Sequence, residues 1–392
     1  MAQTDEVDAE KENELLKILS IDSRQSLQDL SNALHISKTA TYNLLSEATR
    51  KYGLHFYPEI SLENLWHMEF ARQARAQTKR GIIGEATEIM ASVGFNEYAL
   101  QIKFEGKKPD DSEMAAALGK SGIVQFAATT RGKQDVWAYL VARTYDEIRY
   151  FLEKLNKNLD SYSMTETVSN IWTKLGFFPL SAQLVQNFNL FDSYRNLVLG
   201  LMENGRATFS DIGSKYNQGS TQMLYAYERL ARTGVLRHMT YFETSPLRKV
   251  AEIAQIRINN AESFEKSKEQ WYKDMVEQSE KGECAYTYIA DTLSPLGSIA
   301  IISASDNAAL EREMKKLRAM RGASAEFSAV AKELIGRIAV RNYDMRYSEM
   351  YEYLASRNKV KKIAPRAGMP LEPRELGAED MVGAEQQEAN EY

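Results

Sequence analysis

A helix-turn-helix pattern occurs twice in this chain, and no other feature constrains the fold as strongly. The first copy runs from Leu15 to about Ile60 and the second from Tyr194 to Phe242. Each is followed by segments in which apolar residues alternate. The separation is too long for a solenoid repeat. It predicts a two-part module present in two copies, and helix-turn-helix units commonly place a helix in the major groove of DNA.

In the first copy Leu15, Leu16, Ile18 and Leu19 supply the apolar side of a short helix. Ser26 is a candidate N-cap for a second helix bearing Leu27, Leu30 and Leu34, and Ser37 for a third. His35 stands at the turn position usually held by glycine; histidine tolerates positive φ better than most residues. In the third helix Ala40, Leu44, Leu45 and Ala48 form the expected buried stripe. Lys38, Thr39, Tyr42, Asn43, Ser46 and Arg50 form the opposite face, small and hydrogen-bonding enough for base edges and phosphates. Leu54–Tyr57 reads as a wing strand. In the second copy Asn217-Gln218-Gly219 is the expected turn, with Ser220 as cap. Met223, Leu224, Tyr227 and Leu230 are expected to pack inward, and Ser220, Thr221, Gln222, Tyr225, Arg229 and Arg232 to face outward. Between the copies, the connector's Arg72, Arg75, Lys79 and Arg80 suit either phosphate contact or a solvated helix face.

The alternating segments predict βαββαβ units, the split sandwich of ferredoxin-like domains. The expected fold class is therefore α+β, with tandem winged helix-turn-helix plus ferredoxin-like modules in two copies. The expected division is an acidic disordered N-terminus (1–12), a winged unit (13–60), a helical connector (61–96) and an α/β domain (97–178). A linker (179–192), a second winged unit (193–243) and a second α/β domain (247–345) follow, then a closing helix (346–357) and a disordered acidic tail (358–392). In the second α/β domain the strands are expected near Lys249–Ile258, Cys284–Ala290, Ser298–Ser303 and Arg337–Asp344, with 321–333 an unassigned insertion. One strand bears apolar residues on both faces, Val136, Ala138 and Leu140 alternating with Trp137, Tyr139 and Val141. One face suits that domain's own helices and the other needs a second partner. The two α/β domains are thus expected to pair within the chain, leaving the winged units as two unequal reading heads.

The net charge of −5 conceals an uneven distribution. Residues 1–14 and 371–392 are strongly acidic, which leaves +6 on residues 15–370. That balance is compatible with nucleic acid. A lone Cys284 rules out an internal disulfide, and with His35, His55, His67 and His238 it makes no zinc pattern. No apolar run is long enough for a membrane span and no secretory signal is legible. The reading is a cytoplasmic protein without metal or cofactor.

The segments Leu30–Leu45, Ile123–Ala142 and Tyr227–Leu236 carry a family likeness. A winged helix-turn-helix followed by βαββαβ resembles the Lrp/AsnC feast/famine regulators. The resemblance implies a transcription regulator that binds double-stranded DNA, pairs or oligomerises through its α/β domains and senses an amino-acid-like effector. The family's Gly-x-x-Asp turn is matched by Gly132 and Asp135, the implied effector side; the second half has Leu296-Gly297-Ser298-Ile299 there. The alternatives are a sirohaem-decarboxylase-like tetrapyrrole enzyme of the same fold, or a protein-interaction scaffold. The enzyme reading calls for basic and histidine side chains in the α/β pocket, and all four histidines lie outside those segments. No phosphate loop, activated nucleophile or paired-carboxylate motif is legible. The expectation is a regulator and not an enzyme.

Overall fold

The computed structural model describes residues 10–338 except 70–93, 243–249, 282–283, 20–22 and the single positions 13, 17, 177, 189 and 294. The first winged unit follows the local signals. Helix α1 (Leu27–Leu34) is capped by Ser26, whose hydroxyl accepts from the Asp29 N–H at 3.1 Å. It ends at His35 with φ 53°, so histidine does take the left-handed turn. Helix α2 (Lys38–Tyr52) is capped by Ser37, and strand β1 (Leu54–Ile60) follows. Leu15, Leu16, Leu19, Leu30, Leu34, Ala48 and Leu54 form this unit's core. On α2, Leu44, Leu45 and Ala48 face the core as expected, but the first member of the buried stripe is Thr41 and not Ala40. Thr41 is buried and Ala40 exposed, and Thr41 satisfies its hydroxyl by donating to the Ser37 carbonyl at 3.0 Å.

The first α/β segment contains β2 (Asn96–Phe104), α3 (Asp111–Gly119), β3 (Val124–Gly132), β4 (Val136–Ala142), α4 (Tyr145–Asn158) and β5 (Met164–Leu175). The expected linker is part of the core instead. It holds helix α5 (Ala182–Gln186), and Leu184, Val185, Phe188 and Leu190 are buried. The second winged unit contains α6 (Asp192–Glu203), α7 (Phe209–Lys215), α8 (Ser220–Arg232) and β6 (Leu236–Phe242). Its left-handed turn residue is Asn217 at φ 55°, the counterpart of His35, while Gly219 is the extended N-cap. Met223, Ala226 and Leu230 carry the buried face of α8. Leu224 is exposed, contrary to expectation.

The second α/β segment contains β7 (Val250–Ile258), α9 (Ala261–Lys281), β8 (Cys284–Leu293), β9 (Leu296–Ala304), α10 (Asn307–Arg318) and β10 (Ala323–Ile335). The last strand is a correction. The fourth strand was expected at Arg337–Asp344, but it is built from the segment read as an insertion. Residues 339–344 and the expected closing helix lie outside the described residues.

The eight strands form one closed barrel in the order β10-β3-β4-β2-β5-β8-β9-β7. Within each half the order is fourth, first, third, second strand, the ferredoxin-like arrangement. Closure comes from β3 pairing with β10 and β5 with β8, so each half completes the other. The two seams share a register: Val330 faces Thr130 at one, Ile171 faces Thr292 at the other. All pairs are antiparallel, so β2 and β7, on opposite sides, run in the same direction. A pseudo-twofold axis therefore lies along the barrel. The two-faced strand is explained by this closure. Val136, Ala138, Leu140 and Ala142 pack against Ile148, Phe151 and Leu155 of α4. Trp137, Tyr139 and Val141 face inward against Tyr288, Ala290 and Ile299 of the other half. Closing the barrel removes the unpaired edges that an open sheet presents.

The winged units are also joined. Strands β1 and β6 pair antiparallel from Leu54↔Phe242 to Ile60↔Leu236. Arg24 donates to the carbonyls of Gly205 and Ala207, both at 3.0 Å, and lies over the Phe209 ring. Arg206 reciprocates, donating to the carbonyls of Ser23 and Gln25 and lying over Phe56. The two winged units expected as unequal reading heads are therefore joined to each other through their wings. Each wing strand covers the other's unpaired backbone, a contact between distant segments that neither segment's pattern reveals.

Candidate functional site

The outward faces predicted on the third helices are present. On α2, Lys38, Thr39, Tyr42, Asn43, Ser46 and Arg50 are all exposed, Tyr42 by 58%. On α8, Ser220, Thr221, Gln222, Tyr225 and Arg232 are exposed, Tyr225 by 66%, and Arg229 is half-buried. The wings that would flank such helices are occupied with each other. Arg72, Arg75, Lys79 and Arg80 lie outside the described residues.

Gly132 and Asp135 come together at the β3–β4 turn, at one end of the barrel. The Asp135 carboxylate is 6% exposed. It accepts from the Phe104 N–H at 2.9 Å, from Lys108 Nζ at 2.6 Å and from Lys103 Nζ at 3.4 Å. Burial pushes its pKa up, but the Lys108 and Phe104 hydrogen bonds and the Lys103 charge outweigh that and hold it below the usual range. Gly132 has φ 141°, and a Cβ there would lie 2.6 Å from the Phe327 carbonyl oxygen of β10. Gly132 thus serves the turn and the seam, while Asp135 ties the turn to β2 and the loop after it. In the second half the buried acid stands on β8: Asp291 accepts from Ser298 Oγ at 2.7 Å and from Lys268 Nζ at 2.6 Å.

The opposite end of the barrel carries chemistry that the sequence reading missed. Lys174 of β5 reaches Glu97 of β2 at 2.5 Å and the Tyr139 hydroxyl of β4 at 3.1 Å. Tyr288 of β8 lies beside Tyr139, ring centroids 6.0 Å apart, and its hydroxyl is buried without a hydrogen-bond partner. Phe178, just beyond β5, inserts between them, 4.9 Å from Tyr139 and 4.8 Å from Tyr288. Burial raises both phenol pKa values well above the usual value, and the Glu97 charge adds to it. Both tyrosines are therefore protonated across the physiological range. A lysine ammonium paired with Glu97 and bonded to the Tyr139 phenol, with the neutral Tyr288 phenol beside that ring, can hydrogen-bond a carboxylate and supply protons to a strong base. The available signal was the two-faced pattern of β4, which marked Tyr139 as inward-facing without revealing its partners. Among the described residues no cluster of histidine, cysteine or carboxylate side chains is placed to hold a metal ion, and no helix is long and apolar enough to cross a membrane.

Comparison with protein-family models and with curated protein sequences returned no match. Among solved structures, the siroheme decarboxylase NirDL is similar to this chain at 10% identity with a TM-score of 0.53, covering 89% of this chain and 99% of its own. The same enzyme in complex with an iron-uroporphyrin III analogue matches at the same score. Escherichia coli AsnC matches 38% of this chain at 16% identity and a TM-score of 0.29. The likeness to NirDL shows a shared α+β fold along nearly the whole chain. It also corrects the expectation of a non-enzyme: this fold, over 89% of the chain, is one that an enzyme has, so the fold gives no ground for excluding catalysis.

Proposed function

We propose that this chain is an enzyme that decarboxylates a large substrate bearing carboxylate side chains, of the iron-tetrapyrrole class named for its structural neighbour. The observation that carries the reading is the Lys174–Glu97–Tyr139–Tyr288 cluster inside a barrel that both halves of the chain must close. Loss of CO2 from a –CH2–COO⁻ arm leaves the bonding electron pair on the methylene carbon. That carbanion takes a proton to become a methyl group. A buried phenol with a raised pKa still protonates a carbanion readily, because the carbanion is the far stronger base. In this assignment Tyr288 donates the proton and is reprotonated from solvent, while Lys174 holds the departing carboxylate and Glu97 holds Lys174 in place. The test is to mix the purified protein with siroheme, follow the visible absorption spectrum and look for loss of carboxyl groups by mass spectrometry. Tyr288→Phe should lower turnover by about 10²-fold, within the range for a positioned proton donor, and leave the binding spectrum unchanged. An unaltered siroheme spectrum and intact carboxylates would sink the proposal.

A second reading rests on the exposed helix faces: recognition of double-stranded DNA by α2 and α8, as in transcription regulators. In a mobility-shift assay a Lys38/Tyr42/Asn43 triple alanine variant should lose base preference, and Arg50→Ala should weaken binding to all sequences and flatten its salt dependence. Equal binding by the variants and the unaltered protein would remove this reading.

A further inference from the structure

We infer that Phe178 is an internal plug in the barrel-end cluster, held in place by a latch from the first winged unit. The inference deepens the decarboxylase reading and rests on it for the identity of the group that displaces the plug. As it stands, the barrel end admits no substrate arm to the proton donor. Tyr139 and Tyr288 are 0% and 1% exposed. Their ring centroids are 6.0 Å apart, and the Phe178 ring lies 4.9 Å from the first and 4.8 Å from the second. Those separations are direct aromatic contact, so no room for a carboxylate arm is left between Phe178 and either phenol. An arm that reaches Tyr288 must take the place of this ring.

Among the rings of this cluster, Phe178 is the one placed to move. The others stand on barrel strands with ladder partners: Phe126 pairs with Tyr139, Trp137 with Ala128 and Tyr288 with Ile301. Phe178 lies beyond the last ladder pair of β5, Leu175↔Ile289. Gly176 turns the chain there with φ 86°, and a Cβ at that position would lie 2.3 Å from the Thr287 carbonyl oxygen of β8. Two hydrogen bonds hold the chain just after the plug. The Tyr57 hydroxyl of β1 donates to the Leu180 carbonyl, and the Ser181 N–H donates to Gln125 Oε1 of β3 at 2.6 Å. Gln125 belongs to the barrel, but Tyr57 belongs to the wing strand that pairs with β6 and joins the two winged units. Releasing the Tyr57 bond favours the state in which Phe178 has left its place, and that state opens Lys174, Tyr139 and Tyr288 to a carboxylate arm. The winged pair thus controls entry to the barrel end.

The experiment is hydroxyl-radical footprinting of the full chain, read at single residues by tandem mass spectrometry, without and with siroheme. In the unaltered protein Tyr139 and Tyr288 should be labelled at least about tenfold more slowly than Tyr42 and Tyr225, which are 58% and 66% exposed. Tyr57→Phe removes the latch hydroxyl. It should raise labelling of Tyr139 and Tyr288 about fivefold, the change in open population expected for one lost hydrogen bond. Tyr286, bonded beneath α9 and α10 to Trp271 and Glu313, should keep its rate and so separates plug release from general loosening. Phe178→Leu puts a smaller side chain in the same place and should also raise both rates; it decides the matter if Tyr57→Phe does not fold. Siroheme should associate about fivefold faster with the Tyr57→Phe chain, with the rate of CO2 loss from the bound complex unchanged. Equal labelling of Tyr288 in the folded variants and the unaltered protein, or an equal rise at Tyr286, would overturn the plug. Siroheme that never binds would remove the decarboxylase reading, and the footprint alone would then decide the plug.

Discussion

Replacing Phe178 with alanine tests whether the two halves of the chain share one barrel interior. The ring is buried and lies 4.6 Å from Phe126, 4.8 Å from Tyr288, 4.9 Å from Tyr139 and 5.8 Å from Trp137, centroid to centroid. Truncating a buried phenylalanine costs about 3–5 kcal/mol. Four aromatic neighbours held on strands of a closed barrel cannot collapse into the gap, so the expected loss is about 4 kcal/mol. With a urea slope of about 3 kcal/mol per molar or more for a unit of this size, the denaturation midpoint should fall by about 1 M. Tryptophan fluorescence reports it directly, because Trp137 borders the ring, and circular dichroism should show the same midpoint. Phe178→Leu should recover more than half of the loss by refilling volume. A midpoint shift below about 0.3 M, or fluorescence and dichroism transitions that separate, would mean that Phe178 does not tie the halves together.

Three further perturbations address other contacts. Arg24→Ala and Arg206→Ala each remove guanidinium hydrogen bonds to carbonyls of the opposite winged unit; each should cost about 1.5–3 kcal/mol in thermal unfolding, and the double variant should cost less than the sum. Strictly additive losses would argue against one shared interface. Gly132→Ala places a methyl 2.6 Å from the Phe327 carbonyl, at a φ unfavourable for alanine; about 1–3 kcal/mol should be lost, with amide exchange accelerated along β3 and β10, and unchanged exchange there would contradict the seam. Glu252 is pushed by burial to a pKa of about 7. Its folded pKa lies above the unfolded value, so its contribution is present below the unfolded pKa and is lost as pH rises toward and through about 7. Glu252→Gln should flatten that slope and stabilise the protein at pH 8 by on the order of 1 kcal/mol, after allowing for solvent screening. An unchanged slope in urea titrations between pH 5 and 8 would refute it.

Much of the fold was legible from short stretches of chain. Ser26, Ser37 and Gly53 mark helix ends because their cap bonds reach only a few residues. The alternation in Val136–Ala142 correctly demanded two apolar partners, and it led to the intrachain pairing. What escaped depends on segments that meet only after folding. Strand β10 was passed over because its sequence, ASAEFSAVAKELI, has small and polar residues on its inward face. It is a strand because β7 and β3 satisfy its backbone on both sides. The wing strands gave no sign that they would pair with each other across some 180 residues. The cluster at the barrel end joins Glu97 to a lysine 77 residues away, and the phenols it serves come from opposite halves. Local hydrogen bonding and hydrophobic periodicity are written in neighbouring residues, so the sequence by itself determined the elements and their buried faces. Which edges pair, and which polar groups are brought together inside the barrel, is set by closure of the whole sheet, and only the tertiary structure decided it.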